Sequence, residues 1–208
     1  MNTPSSDRWA RLWRQVAAAG DPQMVYRELI SRYSEPHRHY HNLEHLAECL
    51  IEYDSAWLLA ENPIAVELAI WFHDSVYDPH ARDNEERSAE LARLRIEQAG
   101  GTKISGAVAA LVLATKTHDP ALHPDAPLLV DVDLSILGKS KERFREYEAQ
   151  IRREYEWVPE STFAVGRARI LEKFLARQRI YATELFFSKY EQRARINLQN
   201  SISNLIRR

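Results

Sequence analysis

Cysteine is nearly absent. Cys49 stands alone, so no internal disulfide framework is possible and a reducing compartment is expected. Long apolar runs are missing too. The longest, AVAALVLA at 107–114, falls far short of the ~20 residues that span a bilayer, and the N-terminal stretch MNTPSSDRWARLWRQVAAAG has no signal-peptide core. A cytoplasmic protein with no membrane partner is the expectation. Glycine and proline are sparse, six and nine in 208 residues, and no run alternates as a half-buried strand does. Histidine is missing from the last 85 residues, since all eight lie between positions 37 and 123. That confinement directs attention to the first two thirds of the chain.

What is present is helical periodicity. Trp9, Leu12, Trp13 and Val16 recur at helical spacing, as do Phe144, Tyr147, Ile151 and Tyr155. Phe163, Ile170 and Phe174 form a further stripe, with Leu171 and Leu175 beside it. Asp21-Pro22 reads as an N-cap with proline in the first turn. Breaks between helices are expected at Ser34-Glu35-Pro36, Glu61-Asn62-Pro63, Gly100-Gly101, 119–127 and Pro159 to Ser161. The expectation is an all-α fold of nine or ten helices in a single domain covering 1–208, long enough to bury a substantial core. Charge is uneven along it. Residues 139–208 hold 16 Lys/Arg against 9 Asp/Glu, whereas 1–138 hold 12 against 21. Those basic residues alternate with apolar ones at helical spacing, so they read as a solvated helix face, and a nucleic-acid partner is not expected.

In RHYHNLEHLAECL, residues 38–50, His41 and His45 are four apart. On one helix they would share a face, with Cβ atoms about 5–6 Å apart. They could then share a metal, divide metal binding and proton transfer between them, or be two surface residues. WFHDSVYDP at 71–79 sets His73 directly before Asp74, at the inner end of an apolar run. LLVDVDLSILG at 128–138 carries Asp131 and Asp133 in an otherwise apolar stretch. A carboxylate there is costly to bury without a partner, which a cation could provide. Either aspartate could instead cap a helix, though one helix cannot use both. Imidazole and carboxylate suit Mn, Fe, Co, Ni, Zn or, with more oxygen, Mg.

The ordered set His45, His73-Asp74, Asp133 on an all-α background resembles the HD-domain superfamily of metal-dependent phosphohydrolases, over roughly residues 30–140. YHNLEH at 40–45 is similar to the YHNxxH stretch of cyclic-nucleotide phosphodiesterases, and Asp133-Leu134-Ser135 to their DLS. FHDxVY, DNEExSA and DxDLSILG look more like a compact bacterial group of predicted HD phosphohydrolases. The resemblance implies an HD-type core at about 30–140 with the helices of 140–208 packed on it. It implies His45, His73, Asp74 and Asp133 as ligands of one or two divalent ions, with Asp131 the alternative fourth ligand. His41 would be the proton donor, and Asp74 the ligand able to bridge two ions. Substrate contacts are expected more weakly at His118, Asn84, Glu85 and Arg38. For Arg38, with His37 and His39, a solvated loop is the stronger reading. His80 and His123 read as surface residues, and Cys49, one turn beyond His45, as a packed thiol.

The function these residues imply is hydrolysis of a small phosphorylated molecule, nucleotides included, by a monomer or homodimer. The alternative is a non-catalytic metal-binding sensor or scaffold that retains the site.

Overall fold

A computed structural model describes residues 4–16, 19 and 21–207. Ten α-helices and two short 3-10 turns make up its regular structure, with no strand among the described residues. By its contacts the chain divides into two compact units, 1–132 and 133–208, the division falling at the last residue of a helix.

The first unit contains α1 (Ser6–Val16), α2 (Pro22–Tyr33), α3 (Leu43–Asp54), α4 (Pro63–Phe72), α5 (Asn84–Gln98), α6 (Thr102–Ala114) and α7 (Ala126–Asp133). Helix starts follow the sequence signals. Asp21 accepts from the Gln23 N–H at 2.9 Å ahead of Pro22, and Asn62 accepts from the Ala65 N–H at 3.1 Å ahead of Pro63. Each side chain satisfies one of the amides that a helix start leaves open. α4 is apolar around most of its circumference, and Val66, Leu68, Ala69, Ile70, Trp71 and Phe72 are all fully buried. A helix of that kind belongs at the centre of a core, and α4 packs against α1, α3, α5 and α6. Trp9 on α1 stacks on Trp13 and meets Trp71 edge-on, while its indole N–H donates to the Pro22 carbonyl at 2.8 Å. The α5–α6 turn runs through Gly100 at φ 91°, a backbone conformation that costs glycine nothing. No helix among the described residues is long and apolar enough to cross a membrane.

The second unit begins with a buried 3-10 turn, Leu134–Gly138, followed by α8 (Lys141–Glu154), α9 (Glu160–Leu175) and α10 (Glu184–Ile206). The turn packs on α10 so closely that a Cβ at Gly138 would come within 2.5 Å of Tyr190. α8 buries Phe144, Tyr147 and Ile151 along the expected stripe, with Tyr155 at its half-buried end. α9 differs from expectation. Its buried face is Ala164, Arg167, Ala168 and Leu171, while Ile170 is exposed and Phe163 and Phe174 are only half-buried. The reason is Arg167, which stacks on Tyr147 and reaches Glu148 at 2.5 Å, so a charged residue turns inward with its partner.

Candidate metal centre

α3 supplies His45, one turn inside a helix whose start is fixed by Asn42, the side chain of which accepts from the Glu44 N–H at 2.8 Å. α4 ends at Phe72, and His73 and Asp74 follow at once. His73 Nδ1 lies 2.8 Å from the Ile70 carbonyl oxygen, which can only accept. Nδ1 therefore carries a hydrogen, and in the neutral ring Nε2 presents a bare lone pair.

That lone pair faces other donors. His73 Nε2 stands 3.1 Å from His45 Nε2 and 3.0 Å from Asp74 Oδ2, and His45 Nε2 stands 3.4 Å from the same oxygen. Ligands about 2.0–2.2 Å from a shared cation, at tetrahedral or octahedral angles, lie roughly 3.0–3.5 Å from one another. The triangle has that size. Cys49, one turn beyond His45 on α3, also offers a donor atom, within 4.8 Å of those of His45 and His73. His45, His73 and Cys49 are buried, whereas Asp74 and Asp133 are partly open to solvent. Converging acceptors repel unless a cation or proton lies among them. The donor set fits a divalent cation, with an accessible carboxylate side.

Burial alone would push the Asp74 carboxyl upward, but the neighbouring His73, His41 and His45 outweigh it and hold the group well below the usual carboxylate range. Burial and the Asp74 charge push the Tyr33 phenol upward. It donates to the Trp71 carbonyl at 3.2 Å and accepts from the Asp74 N–H at 3.3 Å.

Of the four residues singled out as ligands, His45, His73 and Asp74 stand side by side. Asp131 lies fully buried inside α7 and caps no helix start. Asp133 precedes the 3-10 turn with helical dihedrals and makes no capping bond, so neither aspartate is a cap. His41 is not on the helix. It lies in the turn before Asn42, because the cap interrupts what the four-residue spacing presents as one face. Even so its ring sits 6.1 Å from that of His45, stacked on Tyr77 at 4.1 Å and edge-on to Tyr40 at 5.0 Å.

Arg38 is neither a solvated loop residue nor placed for phosphate. It is buried, and its guanidinium donates to the carbonyls of His41, Asp74 and Ser75 and to Glu35 Oε2. It ties the backbones of His41 and Asp74 together. Asn84 is likewise committed, its side-chain amide pairing with the Asp78 N–H and carbonyl at 3.0 and 2.9 Å. Glu85 is half-buried in the first turn of α5. His118 lies in the α6–α7 connection in the left-handed region, φ 49°, outside the donor group. His80 is exposed as expected, and His123 is half-buried, its Nδ1 accepting from the Asp125 N–H. Cys49 is the member of the donor group that sequence reasoning misses. Its one signal is the i+4 spacing from His45, which a packed thiol shares.

Comparison with protein-family models, with curated proteins and with solved structures gives no match to this chain.

Proposed function

We propose that the chain is an HD-type, metal-dependent phosphohydrolase acting on a small phosphorylated molecule, a nucleotide among the candidates. The observation that carries this reading is the fixed tautomer of His73. Its Nε2 lies within 3.1 Å of both His45 Nε2 and Asp74 Oδ2, a convergence of ligand atoms that suits a cation. His45, His73, Asp74 and Asp133 would hold the ion, with Cys49 beside them, and the two oxygens of Asp74 make it the residue able to serve a second one. When bound, a divalent cation supplies Lewis-acid activation of water and of a phosphoryl oxygen.

The chain's own residues supply the rest. Water adds to phosphorus as the bond to the ester oxygen breaks, and that departing oxygen needs a proton. His41 is in position to give it. It stands outside the ligand set, half-buried, and fixed by stacking on Tyr77. Arg38 holds the His41 and Asp74 carbonyls at once, so donor and ligand keep their spacing. The partly exposed Asp74 and Asp133 leave one side open to substrate, as catalytic metal sites do and closed structural ones do not.

Metal analysis of the purified protein and assay against a panel of phosphomonoesters and diesters test the reading. Bound transition metal and metal-dependent turnover are expected, both lost together in His45→Ala. Bound metal with no turnover of any ester would favour the sensor or scaffold alternative.

A further inference from the structure

The second unit contains a groove of about 740 Å³ between α8, α9 and α10, a volume suited to a small molecule. It shares no residue with the metal centre, and its chemistry is independent of how that centre is read. One wall is cationic. Lys141, Arg145, Arg152 and Arg153 line it from α8, against a single carboxylate, Glu148. That carboxylate is already satisfied by Arg167 at 2.5 Å and by the Ser201 hydroxyl at 2.7 Å, so it offers the groove little negative charge.

The cations are not equivalent. Arg152 is committed to the fold, stacked over Phe163 and donating to the Tyr155 and Val158 carbonyls and to Glu160. Lys141, Arg145 and Arg153 are exposed, and no ion pair among the described residues engages them. From Lys141 to Arg153 the row extends about 18 Å along α8, at ~1.5 Å per residue. A lone phosphate could not reach the whole row, whereas a linear chain of phosphates could meet more of it. The opposite wall is uncharged. Asn197, Asn200, Ser201 and Asn204 recur at i, i+3, i+4 and i+7 on α10; Asn197 is spent on the Leu137 and Lys139 carbonyls and Ser201 on Glu148, so the exposed amides of Asn200 and Asn204, which both donate and accept, are what this wall offers.

We infer that this groove binds a small ligand carrying a linear chain of phosphates, with the phosphates on the α8 cations and any attached hydroxyl-bearing or heterocyclic group on the α10 amides. Calorimetric titration of the full chain tests it, with ATP, tripolyphosphate, AMP and inorganic phosphate as probes. Each is run with and without chelator, so that binding at a metal centre is separated from binding in the groove. ATP or tripolyphosphate should bind once per chain, survive chelation and weaken as salt is raised. Arg145→Ala/Arg153→Ala should lose about tenfold or more in affinity, because two of the cations that meet the phosphates are gone, each an exposed and screened one. Turnover of nitrophenyl phosphate, if present, should not change in that variant. Equal affinity for ATP and tripolyphosphate assigns recognition to the phosphate chain alone, and tighter ATP adds the amide wall. The inference is overturned if neither triphosphate binds in chelator, if the double variant binds as well as the parent, or if AMP or phosphate binds as tightly as ATP.

Discussion

The two units bury charge in opposite ways. In the second, the buried Glu191 and Arg167 meet their complements. Glu191 on α10 accepts from the Ile180 and Tyr181 N–H groups and from Arg195, while Arg167 pairs with Glu148. In the first, His73 Nε2, His45 Nε2 and an Asp74 oxygen converge across 3.0–3.4 Å, with no cationic side chain among them. A network completed within the protein serves stability; the first cluster would be completed by the cation proposed above.

The sharpest test of that contrast is His41→Ala. If His41 donates a proton and does not hold the ion, the variant should keep its metal while turnover of esters with poor leaving groups falls by roughly 10²–10⁴. An activated nitrophenyl ester should lose distinctly less. Metal analysis beside steady-state rates reads both, and metal loss matching that of His45→Ala would make His41 a ligand instead.

In the second unit, Glu191→Ala should cost about 3–5 kcal/mol, because it leaves the buried Ile180 and Tyr181 N–H groups without their acceptor, while Arg195 keeps its backbone carbonyls. Denaturant melts would register it, with the metal content of folded protein unchanged. An effect below ~1 kcal/mol would mean that the completed network is not a stabilising device.

Metal removal comes next in size. An ion held only by the folded site stabilises by about 2.7 kcal/mol at a hundredfold excess over Kd. Chelator should therefore lower Tm by several degrees and added Mn or Ni should restore it. Glu191→Ala should show the same increment, since the two devices are separate. An unchanged Tm after verified metal removal would break the contrast.

The smallest effect concerns a satisfied carboxylate inside the first unit. Glu28 is held below the ordinary range by its hydrogen bond to Arg95, assisted by Arg32 and opposed by burial. A lowered pKa means stability that is present above the unfolded-chain pKa and disappears as pH falls through the lower, folded one. Glu28→Gln should thus melt slightly below the parent at neutral pH, by less than about 1 kcal/mol because the pair is partly exposed. The gap should close in acid. A difference that persists at low pH would mean that packing, and not charge, is responsible.

Several of these features are legible in the residues alone. Asp21-Pro22 marks a helix start because a carboxylate that caps and a proline that tolerates the first turn act within a few residues of chain. The all-α architecture follows from apolar spacing and from the scarcity of strand and turn signals. His45, His73, Asp74 and Asp133 can be named because ligand chemistry limits the residue types and the resemblance gives their order.

Other features need the fold. Periodicity puts Ile170 on the buried face of α9 because it counts arginine as polar, yet Arg167 is buried by a partner 19 positions away in sequence. Arg38 has the sequence surroundings of loop charge, and only folding encloses it with four acceptors drawn from 35–41 and 74–75.

The sequence determined which helices form and which side chains can ligate a cation, since both depend on local spacing and on the chemistry of single residues. Tertiary structure alone decided that His73 Nε2 meets His45 Nε2, that Cys49 joins the donor group, that His41 lies off the helix yet near it, and that the α8 cations line a groove. Those outcomes are distances between residues far apart in the chain, or between a cap and the turn before it. They are fixed only when the packing of whole helices brings the groups together.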